Sequence, residues 1–184
     1  KSCKKVGFGW KTAPEKTNLL FTNTRFDPPP GQNIRLDYLS VAEGYIGTKH
    51  STLTSTLLTL NLEEESALKS LCLRKDPARK NILVCPGSAW PNKRLLDRCL
   101  IEFLQGIDNN TKFFFTYGNL PEKEQAIKLA SFLKSAEVVD KLPLPLLQHF
   151  MREMSEVIAM DSLPLHLAAE TGVATFSLFG PSLA

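Results

Sequence analysis

A strand–helix–strand pattern over residues 157–181 constrains the fold more than any other feature of the chain. An apolar run is followed by Asp161-Ser162, then by apolar residues at helical spacing up to Gly172, and then by a second apolar run. The pattern predicts a βαβ unit whose helix has Asp161 or Ser162 as its N-cap. The helix then starts at the carboxyl end of a parallel strand, where open α/β sheets bind ligands and where backbone N–H groups attract anions.

The same alternation of strands and helices extends back to residue 81. Strands alternating with helices of about ten residues imply a parallel sheet joined by right-handed crossovers. We therefore predict an α/β domain over residues 81–184, a Rossmann-like parallel sheet with helices on both faces and five strands. Besides the βαβ unit, the predicted strands cover residues 82–85, 113–117 and 138–139, and the predicted helices cover residues 93–105, 122–134 and 146–154.

The first 80 residues lack this regularity, and we interpret residues 1–80 as a connecting segment, the end of an N-terminal domain plus a linker. The chain starts with Lys1 and stops soon after Pro181, so we expect a piece of a longer protein with a domain truncated at its C-terminus. Within the segment, the patterns predict a strand at residues 6–10, an extended loop at 11–33, a helix at 34–47, strand-like stretches after residue 48, a short helix at 62–69 and a linker at 74–80.

Composition excludes several classes of function. The net charge of +3 on 184 residues is too small and too scattered to favour binding to nucleic acid or to an anionic membrane surface. The four cysteines show no CxxC spacing, and we interpret them as reduced thiols. No apolar run approaches the length of a membrane span. We therefore expect a cytoplasmic protein.

The turn after the predicted strand at residues 82–85 carries a hydroxyl and two cations. It contains Pro86-Gly87-Ser88, followed by Lys93-Arg94. It lacks the GxxxxGK[ST] spacing of a P-loop, which argues against that class of ATPase. Lys93 could reach an anion as a point charge, and Arg94 as a planar fork. The alternative interpretation is a plain surface loop.

Acidic residues open the helix that follows the predicted strand at residues 113–117. Gly118 is followed by Glu122, with Glu124 as an alternative nearby. A carboxylate in the first turn stabilises a helix by about 0.3–1 kcal/mol without any ligand. The functional alternative is that Glu122 accepts hydrogen bonds from the hydroxyls of a ribose or a sugar.

The third turn of interest lies at the start of the last predicted helix. Asp161 as a plain N-cap and His166 as a helix-surface residue would explain both without any function. His166 lies about one turn into the helix, so both side chains could instead face the same mouth. A carboxylate there would repel a phosphate unless a cation compensates for it, which makes Lys93 the natural complement of Asp161.

Three motifs, taken in this order, resemble those of glycosyltransferase family 9, the heptosyltransferases that build the lipopolysaccharide inner core. The resemblance covers residues 82–182 well, and residues 5–9 and 35–47 only weakly. The motifs are Pro86-Gly87-Ser88 with Lys93-Arg94, then Gly118 with Glu122, and finally Asp161-Ser162 with Leu165-His166-Leu167-Ala168-Ala169 and residues 178–182.

The resemblance implies the C-terminal half of a GT-B glycosyltransferase, in which two Rossmann-like domains face a cleft. It implies inverting transfer of a sugar from a nucleotide-sugar donor, usually ADP-heptose, to a lipid A–Kdo type acceptor, with at most peripheral contact with the inner membrane. No essential metal, and no cofactor besides the donor substrate, is expected. The family's general base and acceptor site belong to its N-terminal domain, so we expect this chain alone to transfer nothing.

Carried over residue by residue, the resemblance assigns a donor-binding role to six positions of this chain. Lys93 would also stabilise the leaving diphosphate as it gains charge in the transition state. The implied contacts are Ser88 and Lys93 to the diphosphate, Glu122 to the ribose or adenosine side, and Asp161, Ser162 and His166 to the sugar or the phosphates.

The chain departs from the family pattern at two places. Leu163 stands where the family commonly has glycine, and Leu95-Leu96 replace a Trp-Pro pair. A side chain at position 163 could narrow the site. A non-catalytic nucleotide-binding or structural module that retains the fold is therefore the alternative, because fold alone does not guarantee activity. The sequence leaves open the sugar, the base, the acceptor and the oligomeric state.

Overall fold

In a computed structural model, residues 3–32, 34–49, 56–107 and 109–179 of the chain are described. The chain divides into two compact units, Lys1–Thr54 and Ser55–Ala184. Within the described residues, no helix is both long enough and apolar enough to span a bilayer.

The first unit contains a pair of parallel strands and one helix. Strand β1 (Val6–Phe8) pairs with β2 (Thr24–Phe26), and a short 3₁₀ helix (Lys16–Leu20) connects them. Helix α1 (Ile34–Ile46) follows, and Gly47 ends it at a φ of 79°. The predicted strand at β1 and the predicted helix at α1 are confirmed.

The prediction of an extended loop over residues 11–33 is wrong, because that stretch contains the 3₁₀ helix and β2. Strand β2 is only three residues long, Thr-Arg-Phe, and so short a run shows no periodicity that sequence analysis could detect. The carboxylate of Asp27 orders the preceding turn by accepting the backbone N–H groups of Lys11 and Thr12 at 3.0 and 3.1 Å.

The second unit is built on a five-stranded parallel sheet in the order β5-β4-β3-β6-β7. The predicted Rossmann-like parallel sheet and its five strands are confirmed. The strands are β3 (Lys80–Cys85), β4 (Thr111–Phe115), β5 (Ala136–Val138), β6 (Glu156–Met160) and β7 (Thr175–Leu178), and the helices are α2 (Leu62–Cys72), α3 (Asp97–Gly106), α4 (Leu120–Ala130), α5 (Leu144–Arg152) and α6 (Leu163–Ala169).

Alternate residues of the central strands supply two separate hydrophobic cores. Leu83, with neighbours on β4 and β6, packs in a cluster that includes buried residues of α2, α5 and α6. Ile82 and Val84 pack in a second cluster with buried residues of α3 and α4. Because successive side chains of a strand point to opposite faces, these clusters place helices on both faces of the sheet, as predicted.

Residues 56–80 lie with the sheet, whereas the prediction assigned them to the connecting segment. Helix α2 begins in a reciprocal capping box between Asn61 and Glu64, and Leu71 is buried in the same core as α5. The side chain of Gln148 on α5 binds the stretch of chain that precedes α2. It accepts a hydrogen bond from the Leu58 N–H at 2.8 Å and donates one to the Thr56 C=O at 2.9 Å. The second unit therefore begins at Ser55 rather than at residue 81.

Two further predictions can be compared with these elements. The helix predicted over residues 93–105 starts later, at Asp97, because Pro91–Lys93 forms a separate 3₁₀ helix and Arg94 is extended. The strand-like stretches predicted after residue 48 show no strand at residues 56–60, and residues 50–55 lie outside the described part of the chain, as do residues 180–184.

Candidate functional site

A cavity of about 650 Å³ opens at the carboxyl ends of β3, β4, β5 and β6. Strand β3 lies at the centre of the sheet, with β4 on one side and β6 on the other. The strands that follow β3 in the chain lie on one side of it up to β5, and on its other side from β6 onward. Open α/β sheets bind ligands at such a topological switch point, where the strand order reverses. The turns after β3, β4 and β6 that carry the predicted site residues all contribute to this cavity.

Lys93 and Asp161 form an ion pair across the switch point, with Nζ 2.7 Å from Oδ2. Their side chains are 30% and 13% exposed, so the cation faces the cavity while the carboxylate behind it is largely buried. The geometry fits the predicted pairing of Lys93 with Asp161. An ammonium has three donors, so Lys93 can keep Asp161 as a partner and still donate to an anion in the cavity.

Ser162 joins the turn after β6 to the turn after β3. Its hydroxyl lies 3.1 Å from the carbonyl oxygen of Gly87 and 3.3 Å from that of Met160, and donates to them. Ser162, rather than Asp161, occupies the N-cap position of α6, but its side chain makes no capping hydrogen bond. The hydroxyl that the resemblance assigned to the donor is therefore engaged in holding two turns together.

Ser88 and Arg94 hold the turn after β3 in shape. The carbonyl oxygen of Ser88 accepts from Arg94 Nε at 2.7 Å, and its hydroxyl oxygen accepts from the Trp90 N–H at 3.4 Å. Ser88 is 4% exposed and lines the cavity. Arg94 therefore stabilises the loop, and Lys93 is the cation of this turn that lines the cavity.

Glu122 is wedged between the turns after β3 and β4. Its carboxylate accepts the backbone N–H of Gly118 at 2.7 Å, and its own N–H donates to the side chain of Asn119, the N-cap of α4, at 3.0 Å. A Cβ at Gly87 would lie only 2.5 Å from Cδ of Glu122. Glu122 is buried and lines the cavity, whereas the alternative, Glu124, is exposed and lies outside it.

His166 and Leu163 line the cavity from helix α6. Both side chains are exposed, Leu163 to 56%, so they lie at the mouth rather than on the floor. The six predicted donor-binding residues therefore all line one cavity, although they come from three turns. In the described ranges, no group of three or more His, Cys, Asp or Glu side chains is arranged to hold a metal ion.

Sequence reasoning missed one side of the cavity. Leu142, Pro143 and Leu144, between β5 and α5, line this side together with Leu147, and the exposed Lys141 lies beside them. The turn after β5 has no hydroxyl or glycine motif that would mark it, and only its place at the carboxyl end of a predicted strand could have found it. Cys85 and Thr116 lie on the floor; burial raises the pKa of the Cys85 thiol to about 12, so it stays protonated and is not a nucleophile.

A comparison with protein families decides where the chain belongs. The family model for glycosyltransferase family 9 (heptosyltransferase) matches residues 1–183. The chain belongs to this family. Two curated relatives, each named lipopolysaccharide heptosyltransferase 1, are 28% identical over 108 residues in Pseudomonas aeruginosa and 26% identical over 189 residues in Campylobacter coli.

The family 9 chain spans only part of these relatives. The alignments cover 58% of the chain and 30% of the Pseudomonas protein, and 95% of the chain and 54% of the Campylobacter protein. About half the length of the better-covered relative therefore has no counterpart in this sequence.

Solved structures of family members share the fold. The E. coli heptosyltransferase WaaC with ADP superposes with a TM-score of 0.67 at 19% identity, covering 98% of this chain and 56% of that one. A glycosyltransferase family 9 structure from Veillonella parvula gives a TM-score of 0.73 at 19% identity, covering 89% and 49%. The predicted membership and the predicted α/β fold of the GT-B heptosyltransferases are confirmed.

Proposed function

We propose that this chain supplies the donor site of an inverting glycosyltransferase that transfers a sugar, heptose from ADP-heptose, to the lipopolysaccharide inner core. Two findings support the proposal: membership in the heptosyltransferase family, and the Lys93–Asp161 pair at the switch point of the sheet. The relatives carry names of lipopolysaccharide heptosyltransferases, and the WaaC structure was solved with ADP.

The order of the strands suggests how a nucleotide sugar would lie in the cavity. The turns follow one another along the sheet edge in the order β5, β4, β3, β6, and three spacings of about 4.8 Å give a row of about 14 Å. The β5 end carries Leu142 and Pro143 beside the exposed Lys141, and the β3–β6 end carries Lys93 with its partner Asp161. A base against Leu142 and Pro143, a ribose near Glu122 and a diphosphate at Lys93 would match this arrangement.

The chemistry proposed for this half of the enzyme is stabilisation of the leaving group. The bond between the sugar and the diphosphate breaks in the transition state, and the departing phosphate oxygen gains negative charge. Lys93, oriented by Asp161, can donate to that oxygen, and the interaction strengthens as the charge grows. We place the general base and the lipid A–Kdo acceptor site in the N-terminal domain of such an enzyme. The expected setting is the cytoplasm, with at most peripheral contact with the inner membrane.

Calorimetric titration with ADP, ADP-heptose and a UDP-sugar tests this assignment. Lys93→Ala should weaken adenine-nucleotide binding by about 10- to 150-fold, the range for a hydrogen bond to a charged group. Lys128→Ala is a matched control, because its Nζ also pairs with an aspartate, Asp97, at 2.8 Å but lies outside the cavity. Equal effects of the two substitutions, or no effect of Lys93→Ala on a nucleotide that binds, would contradict the proposal.

Leu163 supports the one alternative function, a module that retains the fold without the chemistry. Its side chain lies at the mouth, where it could obstruct the sugar rather than the nucleotide. If Leu163 closes the site, then Leu163→Gly should create binding of ADP-heptose that the natural chain lacks. If the site is open, the natural chain should bind ADP-heptose at least as tightly as ADP.

A further inference from the structure

A buried hydroxyl on the cavity floor, that of Thr116, has no partner among the residues that the structure describes. Thr116 directly follows β4, and its backbone N–H donates to the carbonyl oxygen of Val84 at 3.2 Å, which fixes it beside the end of β3. Thr116 is 5% exposed and lines the cavity. No described residue donates a hydrogen bond to the hydroxyl of Thr116 or accepts one from it. Burying an unpaired hydroxyl costs folding free energy, so this position disfavours the fold unless something else pairs with it.

The same strand shows how the chain treats a buried threonine away from the cavity. Thr111, at the start of β4, is 3% exposed, and its hydroxyl donates to the carbonyl oxygen of Ile107 at 2.8 Å. Between the two threonines the strand carries the partly buried Lys112 and then three fully buried phenylalanines, Phe113, Phe114 and Phe115. Valine has the shape of threonine and suits a buried strand. An unpaired hydroxyl at the cavity end of β4 is therefore a feature that packing alone does not require.

We propose that the hydroxyl of Thr116 forms a hydrogen bond with the nucleoside part of the donor, an inference that rests on the proposed function. Thr116 directly follows β4, which lies between the β5 side of the cavity, with Leu142 and Pro143, and the β3–β6 side that carries Lys93. Glu122, on the helix after β4, occupies the same part of the row. A threonine hydroxyl can both donate and accept, so it can pair with a ribose hydroxyl or with a polar atom on the edge of a base.

Thr116 is thus a position at which this chain distinguishes a nucleoside diphosphate from a bare diphosphate. When a buried hydroxyl of the protein forms a hydrogen bond with the ligand, removing either partner lowers the affinity, because the other partner is left unpaired. The neighbouring floor residue, Cys85, is protonated and a weak donor, so it cannot replace the threonine hydroxyl.

The test compares three variants of the full 184-residue chain by ADP titration and by urea denaturation. Thr116→Val should weaken ADP binding by about 3- to 10-fold and leave the denaturation midpoint unchanged or higher. Thr116→Ser keeps the hydroxyl and should bind ADP within about 2-fold of the natural chain. Thr111→Val, the matched control, should show the opposite pattern: unchanged ADP affinity and a lower midpoint, because its hydroxyl has a partner in the protein.

Two results would overturn the role of Thr116 while the proposed function stands. The first is that Thr116→Val binds ADP like the natural chain although Lys93→Ala weakens binding. The second is that Thr116→Val lowers the denaturation midpoint as much as Thr111→Val does, which would show that the hydroxyl is used within the protein. Absence of ADP binding by the natural chain would instead overturn the proposed function, and the role of Thr116 with it.

Discussion

Gly87 is the position where one methyl group should disturb the site most. A Cβ added there would lie 2.5 Å from Cδ of Glu122 and 2.8 Å from each of its carboxylate oxygens, well inside the 3.4 Å at which ordinary contact begins. The φ of Gly87 is not in the left-handed region, so alanine meets no backbone strain there. In Gly87→Ala the conflict is therefore steric and falls on the carboxylate of Glu122.

The size of the effect follows from what that carboxylate would lose. To make room it must move away from Gly87 by about the width of the overlap, and this breaks its 2.7 Å bond to the N–H of Gly118. A hydrogen bond to a charged group contributes about 1.5–3 kcal/mol, and the cavity lets water replace part of it. We expect Gly87→Ala to lower the free energy of unfolding by about 1–2 kcal/mol and to weaken ADP binding as Glu122 moves.

Urea denaturation followed by circular dichroism measures the loss of stability. Gly106→Ala is the matched control, because a Cβ there meets nothing within 4 Å and φ is again ordinary; it should be neutral or stabilising. Gly118→Ala, whose Cβ would lie 3.2 Å from the Glu122 carboxylate, should fall between the two.

A double-mutant cycle with Glu122→Ala isolates the proposed cause. Without the carboxylate, alanine at position 87 has room, so Gly87→Ala should cost less than about 0.5 kcal/mol in that background. An equal cost in both backgrounds would refute the steric argument and would show that Gly87 is required for its backbone alone.

Two further predictions concern the frame around the site. Gln148→Leu removes the side-chain bonds to Thr56 C=O and Leu58 N–H, and should lower the free energy of unfolding by about 1–3 kcal/mol in urea denaturation; an unchanged midpoint would contradict this. The bond from the Lys128 ammonium holds the pKa of Asp97 below its ordinary value of 3.8. A carboxyl group whose pKa is lower in the folded than in the unfolded state stabilises the fold above about pH 3.8, and this stabilisation disappears as the pH falls through the folded-state pKa. Asp97→Asn should therefore lower the free energy of unfolding by at most about 1 kcal/mol at pH 7, and should leave it unchanged once the carboxyl group is protonated in both states. An equal loss at pH 2 would contradict the prediction.

The strands of the second unit were predictable because buried parallel strands read as continuous apolar runs. Phe113, Phe114 and Phe115 of β4 are all fully buried, and no polar alternation interrupts them. Strand β2 escaped prediction because three residues are too few to show a period. The start of α3 was misplaced because Arg94 is extended to reach the carbonyl oxygen of Ser88, a contact that no local pattern encodes.

The candidate site was predictable to the level of which turns carry it. Lys93, Glu122 and Asp161 were identified from residue type and from position at strand ends, and the structure places them in one cavity. Which hydroxyl is free was not predictable. Ser162 bonds to the carbonyl of Gly87, 75 residues away in sequence, and that approach exists only once β3 and β6 are adjacent.

The turns around the cavity are held to one another by contacts within the protein. Lys93 pairs with Asp161, Ser162 bonds to Gly87, and Glu122 bonds to the N–H of Gly118 while contacting Gly87. Each of these contacts either joins two turns or fixes one. Substituting such a residue therefore changes ligand affinity through the position of a neighbouring turn as well as through a lost contact. Thr116 differs because its hydroxyl holds nothing among the described residues. A loss of affinity without a loss of stability at that position would report a direct contact with the ligand, and comparing the two measurements residue by residue separates groups that bind the donor from groups that shape the site.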